Sequence, residues 1–175
     1  MTEIDFITAF GRLLRDGNLR DRFAANPQAV AEEIHLRRAD WPAWGQLIPA
    51  DVEFQAVVLL RKRLDLIKFL APETCRRMGE KLWSVFHDYA RASRPPDGSA
   101  KISDAFLFCR HLNAQNPEAV VASERNRLDF AVSKKRMALH RVQMPTGKRK
   151  ASCGLQLFLR GRGERWREFF FYLGL

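Results

Sequence analysis

Only three cysteines, Cys75, Cys109 and Cys153, are spread along the 175 residues, and no two form a C-x-x-C pair. An odd, scattered set excludes a disulfide scaffold and a cysteine zinc ribbon. Reduced thiols in a cytoplasmic protein are the expectation. Histidine is equally sparse: His35, His87, His111 and His140 stand far apart, and Cys109-Arg110-His111 is the single Cys/His cluster. Neighbours that close on a helix diverge, so no metal site is expected. No run approaches the ~20 apolar residues of a membrane span. MTEIDFITAF lacks a basic stretch, so a secretory signal is not expected either. G-x-S-x-G, H-E-x-x-H, Walker and G-x-G-x-x-G patterns are all missing, as are paired carboxylates suited to acid–base work. The reading is therefore no catalytic residue and no cofactor in this chain. Acidic residues are also in deficit, 20 against 30 Lys and Arg, for a net charge of +10. That balance points to an acidic partner: peptide, nucleic acid or anionic surface.

What is present is helix first and sheet last. The hydrophobic share of 46% suits a packed core. Residues 3–16 place Ile4, Ile7, Phe10 and Leu14 on one stripe, and Gly17 ends that helix. A short helix over 19–25 follows. Asn26-Pro27 then caps and opens a third, with Ala29, Val30 and Ile34. Asp40-Trp41-Pro42 begins a turn holding Trp44 and Leu47. Pro49 opens the longest helix, to Leu70, with Val52, Ala56, Leu59, Leu60, Arg63, Leu64, Ile67 and Leu70 on its buried side. Arg63 is read either as a snorkelling stem or as a buried guanidinium waiting for Asp88 or Asp104. Pro72 starts another turn and Gly79 breaks it. An amphipathic helix over 80–92 buries Leu82, Val85, Phe86 and Tyr89. Residues 93–100, SRPPDGSA, read as an exposed loop. Ser103 is expected to cap the next helix. Asn116-Pro117 is expected to repeat the cap-and-proline device and open a helix to Ser133. The expected fold is α+β: a multi-helix body over 1–135 and a small antiparallel β-meander over 136–175.

The meander carries nine Lys/Arg against two Glu, +7 of the chain's +10. Leu155, Leu157 and Leu159 alternate with Gln156, Phe158 and Arg160, the period of a half-buried strand. Pro145-Thr146-Gly147 and Gly161-Arg162-Gly163 sit where turns are needed. In RWREFFFYLGL, Trp166, Glu168, Phe170 and Tyr172 share one face, and Arg165, Arg167, Phe169, Phe171 and Leu173 the other. Both faces grow apolar toward the end. That strand is therefore read as covered twice, by its own helices and by a partner protein, or else as inserted in its own core. An open edge offers backbone N–H and C=O groups to an added strand, over residues 165–173 or, failing that, over residues 137–142.

The segment Leu59–Gly98 resembles a known family. It carries Arg61 and Arg63 on a helix, Leu70 with Pro72, Gly79, Phe86 with Tyr89-Ala90, and Pro95-Pro96. Asp104-Ala105, Phe108 and Leu112 continue the pattern, and FGRLLRDGNLRDRFAANPQAVAEEI is similar to the opening helices of one branch. The family is that of small partner proteins accompanying multinuclear nonheme iron enzymes that modify ribosomally made peptides. The TglI-type branch, of 3-thiaglutamate biosynthesis, is the nearer match, and the MbnC-type branch, of methanobactin biosynthesis, the more distant. The resemblance implies a heterodimer with a TIM-barrel enzyme that holds the iron. It also implies recruitment of a precursor peptide's leader by the C-terminal sheet. The partner's TglI-type reaction removes the β-carbon of a C-terminal cysteine, with dioxygen consumed and formate lost. Peptide binding is then expected at Arg160, Arg162, Arg165, Trp166, Arg167, Phe169 and Phe171, and partner contact at Phe170, Tyr172 and Leu173.

Two other readings stand beside it. Lys134-Lys135-Arg136 and Lys148-Arg149-Lys150, with Trp166 or Phe169 as a stacking surface, would suit nucleic acid. Cys75, beside Arg76-Arg77, or Cys109 would be the nucleophile of an independent enzyme.

Overall fold

The computed structural model describes residues 2–93, 100–144, 152–161, 163 and 165–172. The chain is α+β: helices first, then a three-stranded antiparallel sheet at the C-terminal end. Contacts divide it into two units, Met1–Asp65 with Trp83–Pro95, and Leu66–Leu82 with Pro96–Leu175.

The first unit contains α1 (Phe6–Arg15), α2 (Gly17–Ala25), α3 (Pro27–Glu33) and α4 (Trp41–Gly45). Helix α5 (Pro49–Leu70) begins in this unit, and α7 (Leu82–Ala92) lies almost wholly within it. Asp5, Asp16 and Asn26 each accept a backbone N–H three residues on, so side-chain caps start the first three helices. Ala9, Leu13, Phe23, Val30 and Trp44 form the centre of the core. The stripe expected on α1 is rotated: Ala9 and Leu13 are buried and Ile7 is exposed. Along α5, Val52, Ala56, Leu60, Leu64 and Ile67 are buried, while Leu59 is exposed. Arg63 meets the aromatic side of α7. Its guanidinium lies over the Phe86 and Tyr89 rings and donates to the Ser93 carbonyl. Arg20 is buried, donates to the Leu13 and Leu14 carbonyls at the end of α1, and pairs with Glu53 at 2.7 Å.

The second unit holds α6 (Pro72–Met78), α8 (Ala100–Gln115), α9 (Ala122–Val132) and the sheet. Gly79 ends α6 at φ +53°, a conformation that strains any residue with a Cβ. Helix α8 begins by Ala100, so Ser103 sits inside it rather than capping it. Asn116-Pro117 opens a 3₁₀ turn, not the start of one long helix, and Asn116 makes no side-chain cap bond. Proline and a short polar residue mark a chain start in either case, and only the following geometry distinguishes them.

Strands β1 (Met137–Met144), β2 (Ser152–Arg160) and β3 (Trp166–Tyr172) run in the order β1-β2-β3. The expected turn at Pro145-Thr146-Gly147 lies outside the described residues, as does most of the 93–100 loop. Between β2 and β3, Gly163 takes φ +86°, which the turn requires of it.

Candidate functional site

Strand pairing sets the two sides of the sheet. One side packs on α9. Phe158 is fully buried, stacked on Phe130 of that helix at 5.0 Å, with Trp166 edge-on to both rings. Gln156 is also fully buried. Its amide donates to the Ser123 carbonyl at 2.9 Å and to Glu168 at 2.6 Å, and its oxygen accepts from Asn126 at 3.1 Å. Arg127 holds the other Glu168 oxygen at 2.9 Å. The sheet and α9 are thus joined by an aromatic stack and a satisfied polar chain. Arg160 closes this side: it donates to the Phe130 carbonyl at 2.7 Å and lies over the Phe130 ring, covering the end of α9.

The other side is assembled from three cross-strand rows. Met137, Leu159 and Arg167 form the first, Leu139, Leu157 and Phe169 the second, and Arg141, Leu155 and Phe171 the third. Met137 is 65% exposed, Leu139 57% and Phe171 49%. The alternation in β2 is present, but the buried half is the Gln156/Phe158 half, and the leucines face outward. Arg141 and Arg167 occupy opposite corners, and no acidic residue falls in the three rows. At the β3 margin a shallow cavity of about 770 Å³ is lined by Leu159, Gly161, Arg165, Trp166, Arg167 and Phe169. Neither β1 nor β3 has a second strand neighbour among the described residues.

Of the expected peptide-binding residues, Arg167, Phe169 and Phe171 therefore share the open face, and Arg165 stands beside it. Trp166 and Arg160 face α9 instead. Arg160, expected to attract peptide carboxylates, is spent on a helix end, because its even-numbered position puts it on the inner side. Phe170 and Tyr172 are on the inner side too, where they remain exposed. Arg162 and Leu173 lie outside the described residues. The sequence reading offered residues 137–142 as a second edge strand but did not place Met137, Leu139 or the leucines of β2 on this face. Their signal was the shared parity of odd positions, readable only once the strands are paired.

The cysteines held as candidate nucleophiles are placed against that role. Burial pushes the Cys75 thiol up to about 11, helped by the nearby Glu124 charge. Cys109 is pushed up to about 12, again by burial first and then by Cys75 and Glu124. A reactive cysteine needs the opposite shift. Alkylation of the native protein at pH 8 should label Cys153, which is partly exposed, well before the other two, and all three in denaturant. Both buried thiols hold their protons above the ordinary value of 9.0. Their stabilising effect is therefore full below pH 9.0 and is lost as pH rises through about 11 and about 12. Peptide mapping of the alkylated native protein checks the labelling order: equal labelling of Cys75 and Cys153 would contradict it.

Among the described residues, no group of three or more His, Cys, Asp or Glu side chains is placed to hold a metal ion. No helix among them is long and apolar enough to cross a membrane. Lys134, Lys135 and Arg136 are exposed just before β1, while Lys148-Arg149-Lys150 lies outside the described residues.

Residues 46–114, less than half of the chain, match the family model described as SCO6045-like, C-terminal domain. The matched span contains the Leu59–Gly98 segment and stops before the sheet. No curated protein and no solved structure matches the chain. The chain is similar, over α5 to α8, to a family whose description assigns no activity.

Proposed function

We propose that the chain is a non-catalytic partner subunit in the biosynthesis of ribosomally made peptide natural products. It binds the leader of a precursor peptide and presents the peptide's cysteine to an iron-holding TIM-barrel enzyme in a cytoplasmic heterodimer. The finer reading is the TglI type, in which the partner removes the β-carbon of a C-terminal cysteine.

One observation carries this reading: among the described residues β3 has an unpaired margin directly beside an open apolar face with arginines at its edge. A leader laid antiparallel along β3 would gain backbone hydrogen bonds. Its alternate side chains would meet Phe169 and Phe171, and its carboxylates would meet Arg165 and Arg167. The arginines are exposed, so their effect falls mainly on the rate of encounter and on its salt dependence.

The test is co-expression with a candidate barrel-type iron enzyme and a candidate short precursor peptide, read by pull-down and by the peptide's mass. A Phe169→Glu/Phe171→Glu double variant should keep its circular dichroism and thermal melt, yet lose at least about tenfold in peptide capture. Undiminished capture by that variant would refute the assignment to β3.

A further inference from the structure

We infer that the open face of the sheet seats an amphipathic α-helix of another protein, about three turns long, with an acidic residue on each flank of its apolar stripe. This goes beyond leader capture, because it uses the side chains of all three strands and not the backbone margin of β3.

The sheet itself indicates what such a face holds. Its inner side packs on α9, a helix of 11 residues. The open side has the same three strands and the same width. Its three rows span roughly 10 Å across the strands and 14 Å along them, the footprint of one helix. The face is apolar through its middle and its remaining corners. Met137, Leu157 and Phe171 run along one diagonal, and the arginines end the other. A helix laid on the apolar diagonal passes Arg167 on one flank and Arg141 on the opposite flank.

Charge selects the occupant. Each flank of the arriving helix meets a guanidinium, and with no carboxylate in the rows to answer it, an acid on the incoming helix is favoured and a Lys or Arg is repelled. A second copy of the chain fits poorly. Self-association through this face would bring four arginines together without an acid between them, on molecules of net charge +10 each. Exposed apolar patches of this extent mark interaction surfaces.

The experiment is selection from a display library of helical peptides, about eleven residues long, on the full-length protein. Enriched sequences should repeat apolar residues at helical spacing, with Asp or Glu on both flanks. They should bind a Leu139→Glu variant at least about thirtyfold more weakly. An Arg141→Glu/Arg167→Glu variant should instead select basic flanks. Met137→Glu serves as a second face variant, and thermal melts confirm that all three fold. Extended or basic winners, or undiminished binding by Leu139→Glu and Met137→Glu, would overturn the inference. So would sedimentation showing a dimer that Leu139→Glu returns to monomers, which assigns the face to a second copy. Leader capture measured on Leu139→Glu separates the two proposals. It should survive, because β1 lies at the far side of the sheet from the β3 margin.

Discussion

Gln156→Leu should cost about 4 kcal/mol of stability. The side chain is 0% exposed and all three of its polar bonds are made inside the protein. Leucine keeps the volume and removes every bond. It leaves the Asn126 amide, the Ser123 carbonyl and one Glu168 oxygen without their partner in a dry space. Each such group costs about 1–3 kcal/mol, the carboxylate most. Gln156→Glu distinguishes lost bonds from lost shape. It places a second carboxylate 2.6 Å from Glu168, so it should be worst at neutral pH and regain stability on acidification, when the two can share a proton. Urea midpoints at two pH values, followed by the Trp166 fluorescence of the second unit, provide the measurement. A Gln156→Leu loss below about 1 kcal/mol would mean that water reaches the site.

Glu124→Ala should follow at about 3 kcal/mol. Glu124 is 4% exposed, and its two oxygens accept the backbone N–H groups of Glu73 and Thr74, each at 2.8 Å. These are first-turn donors of α6, a helix with no side-chain cap of its own. A carboxylate some fifty residues later in the chain does the capping, and the negative charge suits the positive end of the helix. Thr74 adds a second tie, its hydroxyl accepting the Val121 N–H at 3.0 Å. Thr74 is fully buried, so its abandoned N–H would find no water, whereas Glu73 is exposed and would recover part of its loss. Glu124→Gln keeps one acceptor and should lose about half as much. Amide exchange at residues 73 and 74, with a urea midpoint for each variant, checks the ranking. Equal stability of wild type and Glu124→Ala would show that the cap is idle.

The contrast between these two sites explains what could be read from the sequence. The α+β order, the three strands and their approximate ends were legible, because alternation and glycine act locally. Asn26 was legible as a cap for the same reason: its partner, Ala29, is three residues away. Glu124 was not, since nothing near it in sequence marks a helix it caps from a distance. The buried side of β2 was not legible either. Three leucines against glutamine, phenylalanine and arginine suggest a greasy interior side, yet Asn126 and Phe130 on α9 recruit the other three. The candidate site suffered in the same way. Phe169 and Phe171 stood out within their own strand, but Leu139 becomes their neighbour only through Leu157, by pairing across β2. Ile7 and Leu59 belong to the same class: apolar stripes marked a helix without marking how far round it was covered.

The outward leucines also bear on how the protein behaves before anything docks on it. Mutual repulsion between strongly cationic molecules holds those oily ribbons apart at low ionic strength. Added electrolyte shortens the reach of that repulsion without weakening the attraction between hydrocarbon side chains. The solitary chain is therefore most soluble in dilute buffer, and the concentrated salt that is customary for keeping basic proteins dispersed will drive this one out of solution.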